Sequence, residues 1–241
     1  MGLRQGIEVW DKWGYNTDVD SGSEETIWSI GGRIDPLTNA TTLIISSNSA
    51  NDIATTGTGA RQVHIYGVSN TRIRLEEVVS MNGTSNVTTT NEFLGVNRME
   101  VIESGNSWVN EGVINAVASS DYRPVAQIPL GHSVTQQMVF YTQQAVKALA
   151  NSLFYNIIKI DALNKPTVIL RGWIWDFDAH TRKEIMRWSI DTGIENSGEL
   201  IPPIPLKIGQ KSMLEITAET DINNTEVNIR MGITEFRDID Y

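Results

Sequence analysis

The chain has no cysteine at all, so disulfide staples, thiolate nucleophiles and cysteine-held metals are excluded. Only three histidines occur, His64, His132 and His180, and they lie too far apart in sequence to show zinc-ligand spacing. No apolar run approaches the ~20 residues that span a bilayer as a helix, so no membrane partner is expected. Basic charge is scarce: 19 Lys and Arg stand against 29 Asp and Glu, a net charge of −10. That balance opposes sequence-independent binding to nucleic acid, which needs a basic face. The densest basic stretch, Arg182, Lys183 and Arg187, is interrupted by Glu184 and reads as a solvated face. The first ten residues lack the apolar core of a signal peptide, so synthesis in a cytosol is expected, with any exit as part of something larger.

What the chain has in quantity is alternation. Val227, Ile229, Met231 and Ile233 are apolar at every second position, and Ile204, Leu206 and Ile208 repeat the pattern. A period of two puts one set of side chains on one face of a pleated strand. Such runs recur from about residue 40 to the C-terminus, separated by turns rich in Gly, Asn, Ser and Thr. The fold class is therefore all-β: an antiparallel β-sandwich, jelly-roll-like, with two sandwich units and an extended N-terminal arm. The expected division is an arm over 1–25, a first unit over 26–120 and a second over 121–241. Hydrophobic residues make up 40% of the chain and its 19 glycines lift the apolar share to about 48%, enough for a packed core without staples.

Residues 1–25 carry Trp10, Trp13 and Tyr15 without sustained periodicity. Large aromatics are costly on a free tail, so the arm is expected either to fold back on its own domain or to dock into a neighbouring subunit. Trp10, Trp13 and Tyr15 are the candidate partner-binding residues. Asn82-Gly83 is a strong hairpin signal and predicts pairing of a strand ending near Ser80 with one starting near Asn86. Thr142–Ala150 has helix propensity, but the β-branched and aromatic run after it favours a loop entering a strand. Thr167–Phe177 is apolar on both faces and predicts a central, doubly covered strand.

Motifs for chemistry are thin. There is no Gly-x-Ser-x-Gly elbow, and His132 and Ser133, adjacent on a strand, point to opposite faces. His64 takes the outward slot of Val63-His64-Ile65. Asp176 and Asp178 share a face before His180, which reads as a polar strand end entering a turn. Glu76/Glu77 and Asp176/Asp178 are carboxylate pairs of the kind 29 acids produce by chance. Gly57-Thr58-Gly59 lacks the Lys and the helix of a phosphate loop. Asn16, Asp18 and Asp20 begin at calcium-loop spacing, but Glu24 and Glu25 come too early to finish one. Trp173 and Trp175 suit core packing better than a sugar platform. The four Asn-x-Ser/Thr matches, at Asn39, Asn82, Asn86 and Asn223, are expected by chance in so Asn/Thr-rich a chain. No catalytic, cofactor-binding or metal residues are assigned, and no cofactor is expected.

A series of stretches carries a resemblance. Trp13-Gly-Tyr-Asn16 leads into Asp18–Asp20, Gly22-Ser-Glu-Glu-Thr-Ile-Trp28 and Gly31-Gly32. Ser46–Asp52, Gly59-Ala-Arg61, Asn82-Gly-Thr84 and Phe93-Leu-Gly-Val-Asn-Arg98 follow. The second half adds Met138–Thr142, Arg171-Gly-Trp173, Ile204-Pro-Leu-Lys-Ile208 and Lys211-Ser-Met-Leu-Glu-Ile216. Over most of its length the chain resembles virion structural proteins, capsid- or tail-associated, of tailed bacteriophages, especially marine and cyanobacterial ones. It departs from their pattern at Gln143-Gln-Ala-Val146, where a Val-Pro-Ala-Gly turn is usual. The resemblance implies a non-enzymatic structural protein located in the virion and assembled in the host cytoplasm. A capsid-decorating or head-fibre-base protein is favoured over a tail-associated or receptor- and glycan-binding module. The implied partners are copies of itself, with a trimer favoured, the major capsid protein or other virion proteins, and a possible host surface glycan.

Overall fold

The fold is described by a computed structural model over residues 6–159, 165–202 and 204–237. Among these residues there is no helix. The strands in chain order are β1 (Ile7–Val19), β2 (Glu25–Thr26), β3 (Leu43–Ser47), β4 (Ala60–Val68), β5 (Arg74–Ser80), β6 (Val87–Thr88), β7 (Gly95–Ser104), β8 (Ile114–Ala118) and β9 (Pro124–Ile128). They continue as β10 (Val139–Tyr141), β11 (Val146–Lys159), β12 (Thr167–Asp176), β13 (Thr181–Asp191), β14 (Ser197–Leu200), β15 (Leu206–Ile208), β16 (Ser212–Thr220) and β17 (Thr225–Arg237). All the pairings between these strands are antiparallel, and the architecture is a jelly-roll-like β-sandwich.

The chain forms two compact units, one from Met1–Ile34 with Gln137–Tyr241 and one from Asp35–Gln136. This division replaces the boundaries expected from sequence. Residues 26–34 belong with the C-terminal half because β2 pairs with β16 at Thr26↔Thr217 and Glu25↔Ala218. Residues 121–136 belong with the middle of the chain because β9 pairs with β8.

In the first unit one sheet has the order β1-β17-β11-β14, with β15 also on β11; the other runs β10-β16-β12-β13, with β2 also on β16. The alternation of Val227, Ile229, Met231 and Ile233 turns those four side chains inward, and all are buried. Ala148, Ala150, Leu153 and Ile157 of β11 join them. Facing them are Leu214, Ile216 and Ala218 of β16 with Val168 and Leu170 of β12. Trp10 of one sheet meets Phe140 of the other edge to face, ring centroids 5.7 Å apart. Burying side chains of this size contributes roughly 1.5–3 kcal/mol each, so the two inward faces are the main source of stability in this unit.

The N-terminal segment is not a free arm. Residues 7–16 pair with β17 in continuous register from Ile7↔Phe236 to Asn16↔Val227, making β1 an edge strand of the sheet. Gly14 is required here: a Cβ would collide with the Met138 side chain and lie 2.7 Å from the Ile27 carbonyl. Of the two expected outcomes for the arm, the chain takes the one that folds back on its own domain.

In the second unit a four-stranded sheet, β6-β3-β8-β9, and a three-stranded sheet, β5-β4-β7, enclose Leu43, Ile45, Val63, Ile65, Met99, Ile114 and Ile128. The expected hairpin across Asn82-Gly83 does not form. β5 pairs with β4, and β6 pairs with β3. The turn instead carries the chain from one sheet to the other, with Gly83 at φ +62° donating its N–H to the Asp52 carbonyl at 2.8 Å. The same Asp52 holds the loops of this unit with its side chain. Its carboxylate, fully buried, accepts from the backbone N–H of Ala60 (2.6 Å), Glu111 (2.9 Å) and Gly112 (2.9 Å) and from Ser47 Oγ (2.6 Å).

Two outcomes follow from this packing. Asp52→Ala strands three backbone donors and a hydroxyl, and is expected to lower stability by about 2–4 kcal/mol, read as a shift in the urea midpoint. Deleting residues 1–20 removes β1 and the buried Trp10, Asn16 and Val19. The truncated chain is expected to lose near-ultraviolet ellipticity and protease resistance; a cooperative, native-like melt would contradict the edge-strand assignment.

Candidate assembly surface

Antiparallel partners directly opposite one another share a sheet face. On the outward face of the β1-β17-β11 sheet, one cross-strand row reads Trp13, Arg230, Phe154 and, on β14, Glu199. The next row on one side is Tyr15, Asn228, Asn156 and Ser197. Further along, Val9, Thr234, Leu149 and Lys207 form another row. Val9, Trp13, Phe154 and Ile158 are all exposed, Trp13 to 47%. Between the rows Gly232 leaves the centre low, since a Cβ there would meet nothing within 4 Å. A bulge in β11 between Ala150 and Leu153 lies opposite it. Arg230 stands between the two aromatics and forks onto Asp11, with Nε and a terminal nitrogen 2.9 and 2.7 Å from its two oxygens. The result is a face across three strands on which exposed Val9, Trp13, Phe154 and Ile158 alternate with polar residues, with Arg230 and Asp11 neutralising each other. Singly exposed apolar residues are ordinary on a protein surface; several on one sheet face make this the candidate contact surface.

The three aromatics expected to bind a partner divide. Trp13 lies on this face. Trp10 faces the core, and its Nε1 donates to Glu235 Oε2 at 2.9 Å. Tyr15 shares the outward face but is half-buried, its phenol raised above its usual pKa by burial and by a hydrogen bond to Glu226. Phe154, Val9 and Arg230 had no separate signal in the sequence; the register sets Arg230 opposite Trp13 with Phe154 beyond it, and Val9 lies two rows along β1 on the same face.

The outward face of the second sheet of this unit is occupied from within. Glu215, fully buried, accepts from Thr26 Oγ1 (2.7 Å), Trp175 Nε1 (2.7 Å) and Arg182 (3.3 Å). The Arg182 guanidinium lies 3.5 Å over the Trp173 ring, and Trp173 Nε1 donates to Thr217 at 3.1 Å. Glu24 accepts from both Arg182 (2.9 Å) and Thr217 (2.8 Å). Burial raises the Glu24 pKa, but hydrogen bonds from Arg182 and Thr217 and the charges of Arg182 and Arg33 outweigh it, leaving the carboxyl below its usual range. Trp173 is thus covered by an arginine, and both indole N–H groups are spent, so this face supplies no open aromatic platform. The central strand expected over Thr167–Phe177 is β12, flanked by β13 and β16.

The candidate catalytic groups do not converge. His132 Nδ1 pairs with Gln136 at 2.8 Å, while the Ser133 N–H donates to Asn110. His64 is on the outward face of β4, its ring tilted against Tyr66 with centroids 4.0 Å apart and its Nε2 3.3 Å from Glu76. Tyr66 donates to Glu100 at 2.8 Å, and burial with that bond pushes its pKa up to about 12. Glu77, on the opposite face from Glu76, accepts from the N–H groups of Thr90 and Asn91. Asp176 caps the turn it opens, accepting from the N–H of Asp178 and Ala179. Asn16 is buried, bonded to Glu25 at 3.1 Å, and Glu25 also takes the N–H of Asp20 and Gly32. Gly57-Thr58-Gly59 packs against Asn51, Asp52 and Ile53 as a structural turn. Among the described residues no three His, Asp or Glu side chains gather as a metal site.

The chain matches no protein-family model and no curated protein. Among solved structures it is similar to the VP2 subviral particle of infectious bursal disease virus, at 10% identity and a TM-score of 0.23, covering 97% of this chain and 73% of that one. Particles derived from the same virus give 9% identity and a TM-score of 0.22 over 97% and 74%. These values are too low to carry any inference about the chain.

The Glu24 arrangement sets an acid dependence. A carboxyl whose folded pKa is depressed contributes stability that is complete above its unfolded value, about 4.3, and is lost as pH falls through the lower folded value. Melting temperature is expected to fall between about pH 5 and pH 2, and Glu24→Gln to flatten part of that slope; an unchanged slope in the variant would remove Glu24 from the account.

Proposed function

We propose that this chain is a non-enzymatic structural subunit of a bacteriophage virion, located in the particle and assembled there as an oligomer. The observation that carries the reading is the exposed strip of Val9, Trp13, Phe154 and Ile158 across three paired strands. Water-exposed aromatics in one cross-strand row, here Trp13 and Phe154 on either side of Arg230, are stabilised by covering them, and a second copy or a shell protein does so most simply. Within the strip Arg230 and Asp11 neutralise each other. Under a two-fold, Asp11 of one copy could meet Arg230 of the other; a trimer would need neighbouring shell proteins or another patch to complete it. The sequence resemblance to phage virion proteins points the same way. So does the use of the carboxylates and tryptophans on the other sheet's outward face to hold structure together. Within the virion, a capsid-decorating or head-fibre-base position remains our preferred assignment.

Trp13→Asp with Phe154→Asp puts two charges into the strip without touching the core. The double variant is expected to fold normally, sediment as a monomer and fail to enter particles in a complementation assay. A folded double variant that still oligomerises and is incorporated at the normal level would refute this assignment.

A further inference from the structure

Asn82-Gly83 does not turn a hairpin, and the pair carries a chemistry of its own. It is the only Asn-Gly in the chain. In a flexible peptide the nitrogen of a following glycine, unhindered by any side chain, attacks the asparagine Cγ. A new C–N bond closes a five-membered succinimide while the side-chain nitrogen leaves as ammonia. Water then opens the ring at either carbonyl, leaving aspartate or, with one more carbon in the backbone, isoaspartate. One water is consumed and one ammonia released, with no oxidant or co-reactant.

Asn82 is exposed, so water reaches it, whereas Gly83 is buried. The attacking nitrogen is already engaged. Its N–H donates to the Asp52 carbonyl at 2.8 Å, and the Gly83 carbonyl accepts from the Ser47 N–H at 3.0 Å. On the other side Met81 donates to the Arg61 carbonyl and accepts from the Ala54 N–H, both at 2.9 Å. Asn82 itself bridges to Ile53, and its carbonyl accepts from the Ser85 N–H at 3.1 Å. The peptide groups that must rotate for ring closure are therefore tied on both sides. Asp52 is held in turn, since its buried carboxylate takes the N–H groups of Ala60, Glu111 and Gly112 and the Ser47 hydroxyl. The Gly83 nitrogen is freed only when the loops gathered by that carboxylate come apart.

We propose that Asn82 is a self-modification site locked by the fold: the closed Asp52 junction keeps it unreactive, and each opening exposes it to irreversible deamidation. Isoaspartate at position 82 lengthens the backbone between two fixed hydrogen bonds, Ala54 to Met81 and Gly83 to Asp52. The junction then cannot close in its original register, and the modified unit stays loosened. The proposal does not rest on the virion reading, since it is read on the free chain.

The test incubates the full chain in mildly alkaline buffer, folded and in urea. Mass spectrometry with electron-transfer fragmentation follows the peptide containing position 82 and separates aspartate from isoaspartate. Hydrogen exchange at the Gly83 amide is measured alongside. Both reactions need the same N–H set free, so folding is expected to slow both by a similar factor, about a hundredfold or more. Ser47→Ala is expected to speed deamidation several-fold and Asp52→Ala tenfold or more, each with a parallel rise in Gly83 exchange. Asn82→Gln is expected to abolish it. Circular dichroism checks that each variant is folded. Deamidation as fast in the folded chain as in urea overturns the proposal. So does fast deamidation while the Gly83 amide stays protected, or a rate unmoved in folded Ser47→Ala when Gly83 exchange has risen.

Discussion

Everything in the first unit depends on the ladder that ties residues 7–16 to β17. It brings one end of the described chain against the other and makes β17 an interior strand, with β1 on one side and β11 on the other. Without it the inward row from Val227 to Ile233 would border an open edge, and unpaired edges invite uncontrolled pairing. The ladder also fixes which side chains face out. A slip of one residue would turn Trp13 inward and Trp10 outward, so register decides both the core and the contact strip.

Polar side chains in this protein act mainly as internal fasteners. Asp52 gathers three backbone donors in one unit, and Glu215 and Glu24 gather an arginine, two threonines and an indole in the other. Buried carboxylates of this kind are costly to place and costly to disrupt, which makes them poor reagents and good clamps. With those groups committed, Trp13 and Phe154 stand out as large exposed rings on one sheet face of the first unit.

Much of the fold is readable in the sequence because the inner faces are consistently apolar, as at Val227–Ile233. The alternation of Ile204, Leu206 and Ile208 misleads in part, since Ile204 lies exposed before β15 and only Ile208 is fully buried. β1 escaped because its buried positions are Trp10, Lys12, Gly14 and Asn16, a row with no apolar alternation to detect. Asn82-Gly83 misled because local turn chemistry says nothing about which strands the turn connects. Here the Asp52 carbonyl and the pairing of β6 with β3 redirect it. The aromatic Trp13 was visible as a candidate, whereas Phe154 sits in an ordinary strand and becomes part of the strip only through its register with Arg230.

The account is tested most directly by oxidative footprinting of the intact particle against the free chain. If the strip is the assembly surface, oxidation of Trp13 falls sharply on incorporation while the exposed Trp108 of the other unit stays as reactive as before. Equal Trp13 reactivity in the free and assembled states would contradict the account.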